Sequence, residues 1–160
     1  AWPLPLSVAQ HSLAVLALRR EAEPTGLAAR AELRELLHDA DEGLLGFDPL
    51  SVLKPFLGDG FHELAGRLQD VVFQRYGLTY WTPEEKAEHK KADRIAAASE
   101  AVHVAGWTRD EVKNVLKIPF KPLERDPLVA IYGGTPWEPW SPTVAAERFL
   151  KELQRIQKKR

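Results

Sequence analysis

Cysteine is absent from the sequence, so disulfides and thiolate metal sites are excluded and a reducing cytoplasm is the expected compartment. No apolar run approaches the ~20 residues that a membrane helix requires. The 22 Lys and Arg residues balance 23 Asp and Glu residues, which leaves a formal net charge of −1. Because a nucleic-acid backbone is neutralised by clustered basic side chains, this balance of charge argues against a nucleic-acid polymer as a partner. The absence of a long apolar run argues against a membrane.

Methionine is also absent, and the sequence begins with alanine. We therefore expect the N-terminus to be truncated. The 160 residues present are enough for one domain with its own core. No internal repeat and no linker interrupts them, so the sequence predicts a single domain over residues 1–160.

Helical periodicity dominates the chain, and no alternating strand pattern persists beyond four or five residues. The predicted helices cover residues 7–22, 27–45, 60–76, 82–106, 108–117 and 141–159, with a short helix or turn at 48–58. Ser7 with Gln10 and Thr82 with Glu85 have the spacing of capping boxes. We therefore predict an all-α bundle of about six or seven helices.

Two segments carry more specific expectations. The predicted helix 60–76 should bury an apolar stripe formed by Phe61, Leu64, Leu68, Val71 and Val72. Residues 118–142 hold six of the 12 prolines and two tryptophans, which predicts an irregular segment. Such a segment either covers the core or forms a contact with a second copy of the chain.

Ionisable side chains interrupt the apolar faces of three predicted helices. His11 lies within the stripe of the first helix, His38 and Asp39 end the stripe of the second, and Asp93 lies in an alanine-rich helix. Glu42 follows His38 by four residues and therefore shares its face. Buried ionisable groups are costly unless they are neutralised or paired. One divalent cation such as Mn, Co, Fe, Ni or Zn would satisfy both histidines and both aspartates.

Each of these residues alone is a weak signal. His11 by itself is more often a core histidine with a hydrogen-bond partner, and Asp93 by itself is more often a surface residue. His89 lies four residues before Asp93, but its charged neighbours favour a position on the surface. His62 and His103 are interpreted as structural or exposed. The prediction depends on the ordered set.

That ordered set resembles the HD-domain metal-dependent phosphohydrolases. "SVAQHS" is similar to their S-V-A-E-H-S motif, "LLHDADE" to H-D-A-x-E and "KKADRIAA" to K-x-A-D. "GFDPLSVLK" resembles a G-D-x-x-x-x-K stretch of the small bacterial 5′-deoxynucleotidases. The resemblance covers residues 7–106. It departs from the family at Gln10, which replaces a glutamate, and at Phe47, which is inserted before Asp48. Of an upstream Arg-Trp segment only Trp2 remains.

The resemblance implies a role for several residues. The implied metal ligands are His11, His38, Asp39 and Asp93; the candidate catalytic carboxylates are Glu42 and Asp48; the candidate substrate contacts are Lys54 and Arg94. One divalent ion would be the cofactor. The implied reaction is hydrolysis of a nucleotide phosphate ester, most simply of a 5′-deoxynucleoside monophosphate. Family members are often homodimers, which makes a homodimer an expected assembly.

Three alternatives stay open at this stage. The same fold and metal serve dNTP triphosphohydrolases and phosphodiesterases, because the fold does not select the substrate. A non-catalytic module that binds nucleotide or metal is the second alternative, although the complete ligand set and Glu42 argue against it. A purely structural helical adaptor is the third, and it leaves four ionisable groups on apolar faces unexplained.

Overall fold

Helices alone build the fold of residues 1–160, which a computed structural model describes in full. The α-helices are α1 (Val8–Ala22), α2 (Ala29–Leu36), α3 (Ala40–Leu45), α4 (Asp59–Tyr76), α5 (Pro83–His103), α6 (Arg109–Asn114), α7 (Val129–Tyr132) and α8 (Pro142–Gln157), with a 3-10 helix at Lys54–Phe56. The all-α class is therefore confirmed. The number of α-helices is eight, because one predicted helix divides and residues 118–142 contain the short α7.

The predicted helix 27–45 divides at residues 37–39, so the prediction of one continuous helix is wrong. Leu37 and Asp39 leave the helical region, with ψ angles of 12° and 26°. Within the same turn, His38 Nδ1 donates a hydrogen bond of 2.8 Å to the carbonyl oxygen of Glu35. The imidazole thus donates to a carbonyl oxygen that would accept from a backbone N–H if the helix continued. The break places His38 and Asp39 in a turn between two helices.

Helix α1 lies at the centre of the bundle and packs against α2, α5 and α8. The main core cluster joins α1, α2, α4 and α8, and its fully buried members include Leu16, Leu33, Leu36 and Ile156. On its α5 side, α1 contributes Val15, which packs against Ala92 and Ala96. Because alanine side chains are short, the two helix backbones lie close together. This contact brings the ionisable residues of α1 and α5 within reach of each other.

Helix α4 differs from its prediction. Only Val72 and Phe73 are buried in it, whereas Leu64 and Val71 are 46% and 61% exposed. The predicted buried stripe is therefore wrong for Leu64 and Val71. Helix α4 packs mainly against the six-residue α3, which is too short to cover a whole face of an 18-residue helix.

Residues 118–142, called the strap below, lie against α1 and the core. Trp140 packs on the main core cluster, and the buried amide of Gln10 holds the backbone beside it. Gln10 Nε2 donates to the carbonyl oxygen of Glu138 at 3.0 Å, and Gln10 Oε1 accepts from the backbone N–H of Trp140 at 2.8 Å. Half of the predicted capping box is therefore present: Ser7 Oγ accepts from the N–H of Gln10, but the Gln10 side chain binds the strap instead.

No helix of the structure combines the length and the apolar character needed to cross a bilayer.

A partly buried group of ion pairs joins α8 to α1, with the buried Glu152 at its centre. Glu152 accepts hydrogen bonds from Arg20 Nη2 at 2.6 Å and from Arg155 Nη2 at 2.7 Å. Burial raises the pKa of Glu152, but the hydrogen bonds from Arg155 and Arg20 outweigh it and lower the pKa from 4.5 to about 2. The ion pair therefore stabilises the fold fully above pH 4.5, and the contribution is lost as the pH falls toward 2.

We expect Glu152→Gln to lower the free energy of unfolding by on the order of 2 kcal/mol at pH 7 and by less at pH 3. Urea titrations of both proteins at the two pH values measure this difference. Glu147→Gln, on an exposed part of the same helix, is the matched control and should have no effect. An equal loss at pH 7 and pH 3 would contradict the assignment.

Candidate metal centre

Four residues from three separate segments of the chain meet at one point of the bundle. One nitrogen or oxygen atom from each of them lies within 4.8 Å of the others: His11 on α1, His38 and Asp39 in the turn between α2 and α3, and Asp93 on α5. The structure therefore brings together all four predicted ligands. Two imidazoles and two carboxylates form a donor set that suits a borderline or hard divalent ion.

Glu100 fixes the orientation of the His11 ring by binding the nitrogen that faces away from the aspartates. Nδ1 of the ring lies 2.9 and 3.0 Å from the two carboxylate oxygens of Glu100, while its Nε2 lies 3.2 Å from Asp93 Oδ1 and 3.7 Å from Asp39 Oδ2. Burial lowers the pKa of His11, but the charges of Glu100, Asp93 and Asp39 outweigh it and raise the pKa well above its ordinary value. In the absence of a cation, the imidazole therefore holds a proton among these carboxylates.

His38 is oriented by the backbone. Its Nδ1 must carry a proton, because the Glu35 carbonyl oxygen that it binds at 2.8 Å can only accept. Its Nε2 is buried and makes no hydrogen bond, although it lies 2.9 Å from Asp39 Oδ2. Burial lowers the pKa of His38, and the Asp39 carboxylate more than reverses this, so that the pKa lies above its ordinary value.

The two aspartates face the histidines as anions. Burial raises the pKa of Asp39, but the neighbouring His38 and His11 outweigh it and hold the pKa far below its usual range. The pKa of Asp93 is lowered in the same way, against the effect of burial, by its hydrogen bond with His11 and by the charge of Lys90. Both carboxylates are thus ionised at neutral pH and available as ligands.

The side chains fit a divalent cation on two observations. First, both histidines use Nδ1 for an acceptor behind them, which directs Nε2 toward the aspartates. A second hydrogen bond of this kind on each ring is the usual arrangement of metal-binding histidine. Second, a buried Nε2 without a hydrogen bond leaves His38 short of one partner, and a cation would supply it.

Glu42, Asp48 and Lys54 form a second group beside this centre. Glu42 is buried on α3, and Lys54 Nζ donates a short hydrogen bond to Glu42 Oε1. Burial and the Asp39 charge raise the pKa of Glu42 to about 7, although Lys54 lowers it; Asp48 adds to the increase. The structure thus brings the predicted catalytic carboxylates together with one predicted substrate contact. Asp48 itself is exposed.

Arg94 lies on α5 directly after Asp93 but is directed elsewhere. Its exposed guanidinium donates through Nη2 to the carbonyl oxygen of Lys117 at 2.9 Å. A different basic residue of α5 contacts the centre: Lys90 Nζ lies 3.1 Å from Asp93 Oδ2. Lys90 had no predicted role of its own, although it is the lysine of the K-x-A-D motif and precedes Asp93 by three residues.

Glu100 was also missed by the sequence analysis. It lies seven residues after Asp93, which is two helical turns and therefore the same face of α5. That spacing was the available signal. The spacing alone could not show that this face of α5 lies opposite His11, which is a contact between distant residues.

The surface position expected for His89 is wrong. His89 is buried, its Nδ1 binds Glu35 Oε2 at 2.7 Å, and its ring stacks on Trp81 with centroids 4.6 Å apart. Arg19 binds the other oxygen of Glu35 at 3.2 Å. His89 therefore belongs to a buried polar group behind His38, whose ring it meets edge-on, and not to the four-residue centre.

Comparison with known proteins finds sequence similarity to a bacterial protein. The chain matches no known family model. It is 39% identical over 120 residues to an uncharacterized protein of Rhodobacter capsulatus, and this alignment covers 74% of the chain and 60% of the relative. The chain thus spans about 60% of the length of that protein. Because the relative's name states no activity, the resemblance to HD-domain phosphohydrolases stays a prediction.

Proposed function

We propose that the protein is an HD-type, metal-dependent phosphohydrolase that acts on a nucleotide, most simply a 5′-deoxynucleoside monophosphate. The observation that carries the proposal is the convergence of His11, His38, Asp39 and Asp93. Glu42 and Lys54 beside them add an acid/base group and a cation. The nucleotide part of the proposal depends on the motif resemblance alone.

The chemistry divides between the cofactor and the chain. A divalent ion held by the four ligands would polarise a phosphoryl oxygen and activate water at neutral pH. The side chains of Lys54 and Lys90 would stabilise the negative charge that collects on the phosphoryl oxygens during hydrolysis. Lys90 already contacts the ligand Asp93, so its ammonium group lies at the edge of the centre.

Glu42 is the residue that can move a proton. A general base works best when its pKa lies near the operating pH, and burial and the Asp39 charge raise the pKa of Glu42 into that range, to about 7 in the absence of a cation. The carboxylate can take the proton of an attacking water molecule and pass it to the leaving oxygen. No covalent intermediate with the protein is needed, because the water supplies the new bond to phosphorus.

A panel of nucleotides with product analysis tests the proposal. We expect metal-loaded protein to release inorganic phosphate from deoxynucleoside monophosphates, and protein treated with a chelator to release none until Mn²⁺ or Co²⁺ is restored. Tripolyphosphate from dNTPs would identify a triphosphohydrolase, and a nucleoside monophosphate from a phosphodiester would identify a phosphodiesterase. Binding without any product would contradict the enzymatic function and favour a regulatory module.

A further inference from the structure

We infer that Glu100 is the positioning residue of the centre: its carboxylate holds the proton of His11 on Nδ1 and thereby fixes Nε2 as the coordinating atom. This inference rests on the proposed metal site, but it concerns a residue that none of the motifs contains. Glu100 does not belong to the four-residue group and would not touch the ion or the substrate.

The contact geometry supports a directed role. Both carboxylate oxygens of Glu100 lie within hydrogen-bond distance of His11 Nδ1, at 2.9 and 3.0 Å. An ionised carboxylate can only accept, so the proton of the neutral ring must lie on Nδ1. Without a cation, Nε2 also carries a proton, which it donates to Asp93 Oδ1 at 3.2 Å, with Asp39 Oδ2 at 3.7 Å. A cation held by these carboxylates would replace the proton on Nε2, because Glu100 retains the proton on Nδ1.

The need for such a residue follows from the position of His11. His38 is oriented by the backbone carbonyl of Glu35. A backbone carbonyl is present whatever the side chain, so His38 needs no particular residue as its acceptor. His11 lies within α1, where backbone carbonyls are already bonded within the helix. Its acceptor comes instead from a side chain of the neighbouring helix α5, the carboxylate of Glu100. The close packing of α1 on Ala92 and Ala96 of α5 allows Glu100 to reach it.

The strap contributes to the surroundings of Glu100. Gln10, Asp126, Trp137 and Glu100 line a cavity of about 10 Å³, which has room for about one water molecule. Gln10 is also the residue that binds the strap backbone at Glu138 and Trp140. Partial shielding from bulk solvent strengthens the bond between the carboxylate and the imidazole, because the local dielectric constant is lower.

Zinc binding to the full chain tests the inference without any measurement of activity. We expect Glu100→Gln to weaken Zn²⁺ affinity by roughly 10- to 100-fold in calorimetric titrations. Glutamine keeps the size of the side chain and its place in the packing, so a residue with only a packing role would show no change. It removes the negative charge, and its amide can donate to Nδ1 as well as accept from it, so the proton is no longer confined to Nδ1. Glu84→Gln, at an exposed position of the same helix, is the matched control and should bind Zn²⁺ like the unmodified chain.

Nitrogen-15 NMR of the unmodified, Zn²⁺-loaded chain gives a second readout that needs no variant. We expect a proton on Nδ1 of His11 and none on Nε2. A zinc-bound Nδ1, or unchanged affinity in Glu100→Gln, would overturn the role of Glu100 while leaving the metal site in place. Failure of the unmodified chain to bind Zn²⁺, Mn²⁺ or Co²⁺ would instead overturn both the inference and the proposed function.

Discussion

Asp39→Ala is expected to abolish metal binding and to lower phosphate release by at least about a thousandfold. Asp39 Oδ2 lies 2.9 Å from His38 Nε2 and 3.7 Å from His11 Nε2, so this carboxylate is shared between both imidazoles. Its removal leaves two histidines and a single anion. Elemental analysis of purified protein and steady-state measurement of phosphate release together record the two losses.

The fold should survive this substitution. Asp39 lies in a turn, its side chain caps no helix, and its ψ of 26° requires no special residue. Asp41→Ala is the matched control, because Asp41 is an acid of the adjoining helix that does not belong to the four-residue group. It should keep metal and activity. Phosphate release that persists in Asp39→Ala after chelator treatment would rule out the metal-dependent mechanism.

The meeting of the four candidate ligands was predictable from the sequence, because burial of an unpaired ionisable group costs free energy. His11 interrupts an apolar stripe, and Asp93 lies among alanines, so each demands a partner once its helix is packed. The capping box predicted at Thr82 is also present in the structure, since its signal is local in sequence. Local rules therefore sufficed where the decisive contacts span only a few residues.

The details that orient the centre were not predictable, because they arise from contacts between distant residues. At the turn, the imidazole of His38 competes with backbone N–H groups for the Glu35 carbonyl oxygen. Residues 35–42 contain no glycine or proline, so no residue typical of a turn indicates the break. Glu100 acquires its role only when α5 is packed against α1. The prediction for His89 failed for the same reason: a charged local sequence hides a residue that Trp81 and Glu35 enclose.

Gln10 shows how a departure from a motif can reflect the rest of the fold. The resembling family has a glutamate at this position, and the substitution has no explanation within the motif. In the structure the amide donates to the carbonyl oxygen of Glu138 and accepts from the N–H of Trp140. A carboxylate could accept the second bond but could not donate the first. The glutamine therefore matches the strap, which lies 128 residues further along the chain at Glu138.

Glu42→Gln is expected to separate chemistry from metal binding. Glu42 is outside the group of four ligands, so the variant should retain its metal, while kcat should fall by roughly 10²- to 10⁴-fold with the loss of the general base. Because the pKa of Glu42 is raised to about 7, the acid form predominates below that pH and the base form above it. The activity of the unmodified protein should therefore rise as the pH increases through the pKa of Glu42. Because a bound cation offsets the Asp39 charge that raises this pKa, the rise in the metal-loaded protein should lie at or below pH 7.

In Glu42→Gln that rising limb should disappear from the pH profile of kcat/KM, since glutamine does not titrate. Glu63→Gln, at an exposed position of α4, should preserve both the rate and the limb. Two results would assign Glu42 a different role. If Glu42→Gln lost the metal together with the activity, Glu42 would be a ligand or would support the ligands. If the variant had a lower rate but an unchanged pH profile, Glu42 would act by holding Lys54 in position through their hydrogen bond.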